Sequence, residues 1–568
     1  MGGAMQRMFV TAGGSQFHVR RAGEGPPVIL LHPSPQSSAF SVPMATRLAK
    51  NFTAIAVDTP GYGLSDPLPG GYQGPGLTDY IQPLVDLLDA LDIEKAAFYG
   101  NATGAEISHI FAAAHPERVA VCMLDTAGHA SDEEVDHLTD GYFPDVTPVR
   151  DGGHLLTHWD MVRSLNLFAP WQFRSKANRL SVDMPPPEVI HAKMLDYLRA
   201  GPGYADAYRP AFYTAKHDLI SRVTVPATLT RWEAKPNLEE IDALISMGLP
   251  ENFTILRAGP TVEERQAVSE NYLLEHYLRA GTPAPPHPDQ IDRSAPRLQK
   301  TYIDVDGGKL FARVCLAGEG RPILGLHDPA GSSSRLIPFL TPYLGKRPVI
   351  APDNPGCGES DALLTPEDIS TEAYARYAAQ ALDALGIADV DVVGRYSGGQ
   401  VAMELSAQRP GLVKHIVQAG VQIFTDEERP DLLANYTPSI APRWDGGHLL
   451  TAWSVVRDMS LFWPWYNRTK DGIIPRDANL DPLFLNSRVQ DLLKMGDAYQ
   501  NAYAASFTYP MAEKLAALDV PCLLMDWPGA ASSGRLAMAT AAAPACQTAD
   551  MPEDLTALPD RLDPFFAV

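Results

Sequence analysis

The sequence predicts an α/β protein written twice: two tandem domains, each a mostly parallel, doubly wound sheet with a helical cap. Three observations predict it. Asp151–Trp171, "DGGHLLTHWDMVRSLNLFAPW", returns 294 residues later as Asp445–Trp465, "DGGHLLTAWSVVRDMSLFWPW". Upstream, "AGEGPPVILLH" ending at His32 returns 295 residues later as "AGEGRPILGLH" ending at His327. A register kept over roughly 200 residues means two copies of one domain, not a short solenoid unit. Within each copy, finally, short β-branched or apolar runs alternate with helical segments, the spacing of parallel strands joined by helical crossovers.

In the first copy the strand runs are "PPVILLH", "FTAIAVD", "KAAFYG", "AVCMLD", "PATLTRW" and "NFTILRAG". In the second they are "RPILGLH", "RPVIAPD", "DVDVVG", "KHIVQAG" and "PCLLMDW", preceded by "QKTYIDVDGGKLFARV", which reads as an opening hairpin. Around each "DGGHLL" a tryptophan-rich helical insertion interrupts the alternation, as a lid over a sheet would. The predicted domains are residues 1–280 with a cap at about 130–215, and residues 298–568 with a cap at about 425–510. Residues 281–297, proline-rich and poor in apolar side chains, read as an extended linker.

A chain of 568 residues with 45% hydrophobic and 20% charged residues is expected to fold rather than stay disordered. Its formal charge of −22 argues against nucleic acid and anionic membrane as partners, leaving a small molecule. No apolar run reaches the roughly 18 residues of a membrane span, and no signal-peptide pattern opens the sequence. The five cysteines lack C-x-x-C spacing, so neither a disulfide framework nor a zinc site is expected, and a reducing cytoplasm is the expected location. His154 and His158 stand four apart on one helix, but the second copy has Ala452 in place of His158 and no third ligand is evident. Neither metal nor cofactor is expected.

Three further landmarks occur in both copies. A loop after the first long strand reads "LHPSPQSS" and "LHDPAGSSS", and a turn reads "DTPGYGLSD" and "DNPGCGESD". A strand-to-helix junction reads "FYGNATGAEI" and "VVGRYSGGQV". With the cap, these resemble the α/β-hydrolase superfamily over essentially the whole chain. The resemblance implies a nucleophile on the strand-to-helix elbow, an acid after a later strand and a histidine after the last strand.

Neither copy supplies that set. The elbow position is Ala102 in the first and Tyr396 in the second. Alanine cannot attack a carbonyl, and a phenol with an unperturbed pKa near 10 is a poor nucleophile at neutral pH. Pro260 and Thr261 stand where the first copy would carry glycine and histidine, and no histidine follows His448 in the second. The nearest candidate acids are Glu233 and Asp526.

An oxyanion hole needs no serine side chain. The backbone N–H groups of Thr103 or Ser397, with Ser34 or Ala330 in the preceding loop, could still receive a carboxylate, an enolate or a polarised carbonyl. In the second copy Tyr396, His327 and His448 are the candidate proton-transfer residues. Ala102 and His32, their first-copy counterparts at the elbow and in the oxyanion loop, are candidate substrate contacts. His154, Trp159, Trp444, Trp453, Arg457, Trp463 and Trp465 are candidate substrate contacts in the caps, the tryptophans equally serving as packing.

The leading expectation is an enzyme of this fold without a serine triad, with lyase, proton-transfer or cofactor-independent chemistry on a small apolar or aromatic carbonyl compound. That chemistry is assigned to the second copy. The alternatives are a non-catalytic ligand-binding scaffold and a hydrolase whose nucleophile has moved to Ser397 or Thr103. The two copies are expected to pack as an intramolecular pseudo-dimer, and a further homo-oligomer is left open.

Overall fold

Each half of the chain lays its apolar runs into one eight-stranded sheet. The computed structural model describes residues 5–69, 74–214, 216–234, 238–278, 282–288, 291–529 and 533–567. The first sheet comprises β1 (Gln6–Ala12), β2 (Ser15–Ala22), β3 (Pro27–Leu31), β4 (Thr53–Val57), β5 (Ala96–Asn101), β6 (Val119–Asp125), β7 (Ala227–Trp232) and β8 (Phe253–Ala258). Their order is β1-β2-β4-β3-β5-β6-β7-β8, antiparallel at β1/β2 and β2/β4 and parallel beyond. Strands β3, β4 and β5 are buried at every residue, which is why they read as unbroken apolar runs.

The second sheet comprises β9 (Gln299–Val305), β10 (Gly308–Cys315), β11 (Ile323–Leu326), β12 (Val349–Pro352), β13 (Val390–Arg395), β14 (Val413–Ala419), β15 (Cys522–Asp526) and β16 (Gln547–Asp550). Its order, β9-β10-β12-β11-β13-β14-β15-β16, reproduces the first. No apolar run announces β16, whose four residues "QTAD" form a largely exposed edge.

Cap helices lie between β6 and β7, among them Pro187–Ala200, and between β14 and β15, among them Gly447–Asp458 and Pro482–Met495. The chain divides into two compact units, Met1–Thr147 with Leu156–Gln290, and Pro148–Leu155 with Ile291–Val568. In the linker, the guanidinium of Arg21 donates to the carbonyls of Pro285 and Pro286, both at 2.5 Å, within the first unit. Among the described residues no helix is long and apolar enough to cross a membrane.

The aspartate-to-serine turns show why their residues recur. Asp58 accepts from the Ser38 and Leu64 N–H groups at 2.6 and 2.8 Å, and Asp353 accepts from Ser333 and Glu359 at 2.5 and 2.9 Å. Ser65 and Ser360 each donate to the carbonyl of their aspartate, at 2.7 and 2.8 Å. A Cβ on Gly63 or Gly358 would stand 2.0 Å from that carboxylate, so only glycine fits. The turn thereby ties the oxyanion loop to the sheet in both units.

Candidate active sites

The elbows keep the same backbone in both units. Ala102 sits at φ 48°, ψ −115° and Tyr396 at φ 49°, ψ −116°, a sparsely populated region for residues with a side chain. The helices Thr103–Ala114 and Ser397–Gln408 start at the next residue, so their first N–H groups have no intrahelical acceptor. A Cβ on Gly104 would stand 2.2 Å from the Leu31 carbonyl oxygen, and one on Gly398 would stand 2.1 Å from that of Leu326. Those glycines let the elbow helix rest on the neighbouring strand.

In the second unit Tyr396 lines a cavity of about 140 Å³. Its ring lies 5.9 Å from that of Trp527, and the Arg395 guanidinium sits over it at 4.9 Å. Phe424, Tyr436, Trp463 and Tyr503 form an aromatic wall, with Trp463 5.6 Å from Tyr436 and 6.3 Å from Phe424. Asp328, Arg395, Arg476, Arg488 and Arg535 also face this space. One oxygen of Asp328 is paired with Arg395 and the other with Arg335, the latter at 2.9 Å. Burial alone would push the Asp328 carboxyl up, but Arg395, Arg335 and Arg488 outweigh it and hold the group well below the usual carboxylate range.

The first unit's cavity is larger, about 280 Å³, because smaller residues line it. Ala102, Ala130 and Ala169 stand where the second unit has Tyr396, Phe424 and Trp463. Its wall is largely apolar, with Thr103, Glu106, Thr126 and Glu240 as polar contributors.

The candidate residues fall into four groups. Tyr396, Trp463, Ala102 and Thr103 line a cavity, and Ser397 opens the elbow helix beside Tyr396. Ala330 and Ser34 are buried in their oxyanion loops, Ala330 at φ 52°.

Neither His327 nor His448 is among the described residues that line the cavity at Tyr396. The His327 Nδ1 lies 2.8 Å from the Asp328 carbonyl, and its Nε2 accepts from the Asn354 N–H at 2.9 Å. His32 repeats this with the Pro33 carbonyl at 3.0 Å and the Thr59 N–H at 3.0 Å. His448 is buried at the start of its cap helix, its Nδ1 accepting from the Arg443 N–H at 3.1 Å.

The remaining cap candidates are not among the residues lining these two cavities. Within the second unit Trp453 donates to the Arg150 carbonyl at 3.1 Å and packs 5.1 Å from His154, whose Nε2 meets Asn486 Oδ1 at 3.0 Å. Trp465 donates to the Tyr436 carbonyl at 2.8 Å, and Arg457 pairs with Asp458 at 2.8 Å. Trp159 is fully buried and Trp444 is about half exposed.

At the triad's other positions, Thr261 caps the helix Val262–His276 by accepting from the Glu264 N–H at 3.2 Å. Glu233 is exposed, and Asp526 accepts from the Trp527 N–H at 2.9 Å.

Residue-by-residue motif reading misses the charged part of the second cavity. Comparing the copies would have found it. In the repeat register, Pro33, Asn101, Lys193 and Glu240 of the first copy become Asp328, Arg395, Arg488 and Arg535.

Two sheets of this order, each with a strand–elbow–helix junction and a cap inserted between the same strands, define a pair of α/β-hydrolase folds. A family model described as alpha/beta hydrolase fold matches residues 26–150 and 325–443. The chain belongs to the α/β-hydrolase superfamily and carries its domain twice in tandem.

Among curated relatives, 2-(acetamidomethylene)succinate hydrolase of Mesorhizobium japonicum is 34% identical over 130 residues, 23% of this chain and 46% of that protein. The 2-hydroxy-6-oxo-2,4-heptadienoate hydrolase of Pseudomonas putida is 32% identical over 146 residues, 25% of this chain and 52% of that protein. The chain thus spans about half the length of these relatives. Among solved structures, E-2-(acetamidomethylene)succinate hydrolase aligns at 22% identity over 48% of this chain and 98% of that one, with a TM-score of 0.35.

Proposed function

We propose that the chain is an enzyme of the α/β-hydrolase fold that works without a serine nucleophile, with its chemistry in the second unit. Its substrate is a small aromatic or apolar carbonyl compound. The observation that carries this reading is Tyr396 itself, held at the strained elbow position and lining an aromatic cavity. A dry apolar cavity of roughly 150 Å³ holds benzene, so a single ring or a molecule of that size suits the available space. The relatives reported above support the size class, since both are named for small unsaturated carbonyl compounds.

In this reading the Tyr396 hydroxyl donates to the carbonyl oxygen, and the Ser397 N–H at the helix start adds a second donor as charge builds there. His327 and His448 serve as pins for the oxyanion loop and the cap, because both His327 nitrogens and the His448 Nδ1 are spent on backbone groups. The first unit, with Ala102 at its elbow, is a structural or ligand-binding copy.

The test is turnover of a panel of aryl esters, enol lactones and aromatic diketones by the full chain. Tyr396→Phe should lower turnover by about a hundredfold, and Ser397→Ala should leave it within about twofold. The opposite ranking, with Ser397 labelled by a fluorophosphonate, would assign a displaced serine nucleophile instead. Tight binding of a panel member that is returned unchanged would favour the scaffold alternative.

A further inference from the structure

The second unit's cavity carries more positive charge than its carboxylates neutralise. Asp328 is used at both oxygens, by Arg395 and Arg335. Asp491 is engaged by Ser332 at 3.2 Å and lies 3.6 Å from Arg335. Arg535 is matched by Glu428 at 2.8 Å. That leaves Arg476, which is exposed, and Arg488, on the cap helix Pro482–Met495, whose guanidinium lines the cavity while its Nε is buried without a hydrogen-bond partner among the described residues.

The surrounding phenols do not supply the missing negative charge. Burial pushes the Tyr436 and Tyr503 hydroxyls up from their ordinary value, so both stay neutral. Arg488 feels the imbalance: burial first, then Arg335 and Arg395, push its guanidinium down to about 10. A half-buried, unpaired cation among cations is costly unless an anion joins it. The first copy has none of this, since Lys193, Asn101 and Pro33 stand at the matching positions and Lys193 donates to Asn166 at 3.0 Å. The charges are therefore not a requirement of the fold.

We propose that the second unit's cavity is a carboxylate site, in which Arg488, flanked by Arg395, receives the acid group of a ligand whose ring or chain lies against Trp463 and Tyr436. The proposal rests on the reading of this cavity as the ligand site and adds the chemical class of its ligand. Guanidinium presents paired donors that match a carboxylate, which gives both affinity and orientation.

The test is calorimetric titration of the full-length chain with benzoate and with benzamide, its neutral counterpart of the same shape. Wild type should bind benzoate at least about tenfold more tightly than benzamide. Arg488→Met should weaken benzoate by about ten- to a hundredfold, leave benzamide within about twofold, and melt no lower than wild type, since it removes an unpaired charge. Arg488→Lys should recover part of the benzoate affinity. Equal benzoate affinity in wild type and Arg488→Met, or no benzoate binding by wild type, overturns the carboxylate site. Trp463→Ala separates the two ideas. If it weakens benzamide while Arg488→Met spares benzoate, the cavity reading survives and the carboxylate assignment falls; if it changes neither ligand, the cavity reading itself fails.

Discussion

The ring of Tyr396 lies directly on Gly420: a Cβ built on that glycine would stand 2.5 Å from the tyrosine Cε1. The first unit resolves the same place the other way round. There the elbow residue is Ala102, and Thr126 at the position matching Gly420 accepts from the Ala102 N–H at 3.0 Å. A large elbow residue is paired with no side chain, and a small one with threonine. Both partners keep positive φ, 81° for Gly420 and 64° for Thr126.

This complementarity predicts a coupled pair. Gly420→Ala should destabilise the chain by about 2–4 kcal/mol, combining backbone strain with displacement of the tyrosine ring. In a Tyr396→Ala background the same substitution should cost about 1 kcal/mol, the backbone share alone. Urea denaturation of the four proteins measures the coupling, and strict additivity would show that the two residues do not interact.

The elbow strain predicts a second outcome. Ala102 holds a backbone geometry that costs on the order of 1–3 kcal/mol, with no nucleophile to present in return. Ala102→Gly should therefore raise stability by about 1 kcal/mol in thermal or urea melts. Restoring a serine should not restore a hydrolase. Thr261 is committed to a helix cap, and no histidine follows His448. Ala102→Ser and Tyr396→Ser should show no fluorophosphonate adduct by intact-mass spectrometry, and stoichiometric labelling would contradict this.

Much of the fold is legible in the sequence because strands covered on both faces must be apolar along their length, as β3, β4 and β5 are. The elbows are legible because Gly104 and Gly398 have no room for a side chain against the neighbouring strand. Strand β16 is illegible for the converse reason, since an exposed edge imposes no apolar pattern. The charge cluster escapes for another reason. Asp328 and Arg395 pair across 67 residues of sequence, and Arg488 arrives from the cap, so no local spacing brings them together. The histidines were legible as positions but not as roles, because only the structure shows which backbone groups occupy their nitrogens.

His32 gives the pH prediction. Its two nitrogens meet the Pro33 carbonyl and the Thr59 N–H, and burial lowers its pKa against the opposing pull of Asp58. A histidine lowered by folding contributes stability that is complete above its unfolded value, about 6.5, and is lost as pH falls below it. Asp196, pushed up to about 6 by burial, acts in the opposite sense, so the comparison is made against His32→Gln at each pH. The stability advantage of wild type over the variant should shrink by up to about 1.4 kcal/mol per pH unit as pH falls from 6.5. A constant or growing advantage would show that the imidazole is not held neutral.

The central claim is that the second unit's cavity, with Tyr396 at its floor, is where the small ligand binds. Soaking crystals of the full chain with para-bromobenzamide and locating bromine by anomalous scattering tests this most directly. The account predicts a bromine peak between Tyr396, Tyr436 and Trp463. Bromine confined to the first unit's cavity beside Ala102 and Trp171, or absent from both, would contradict it.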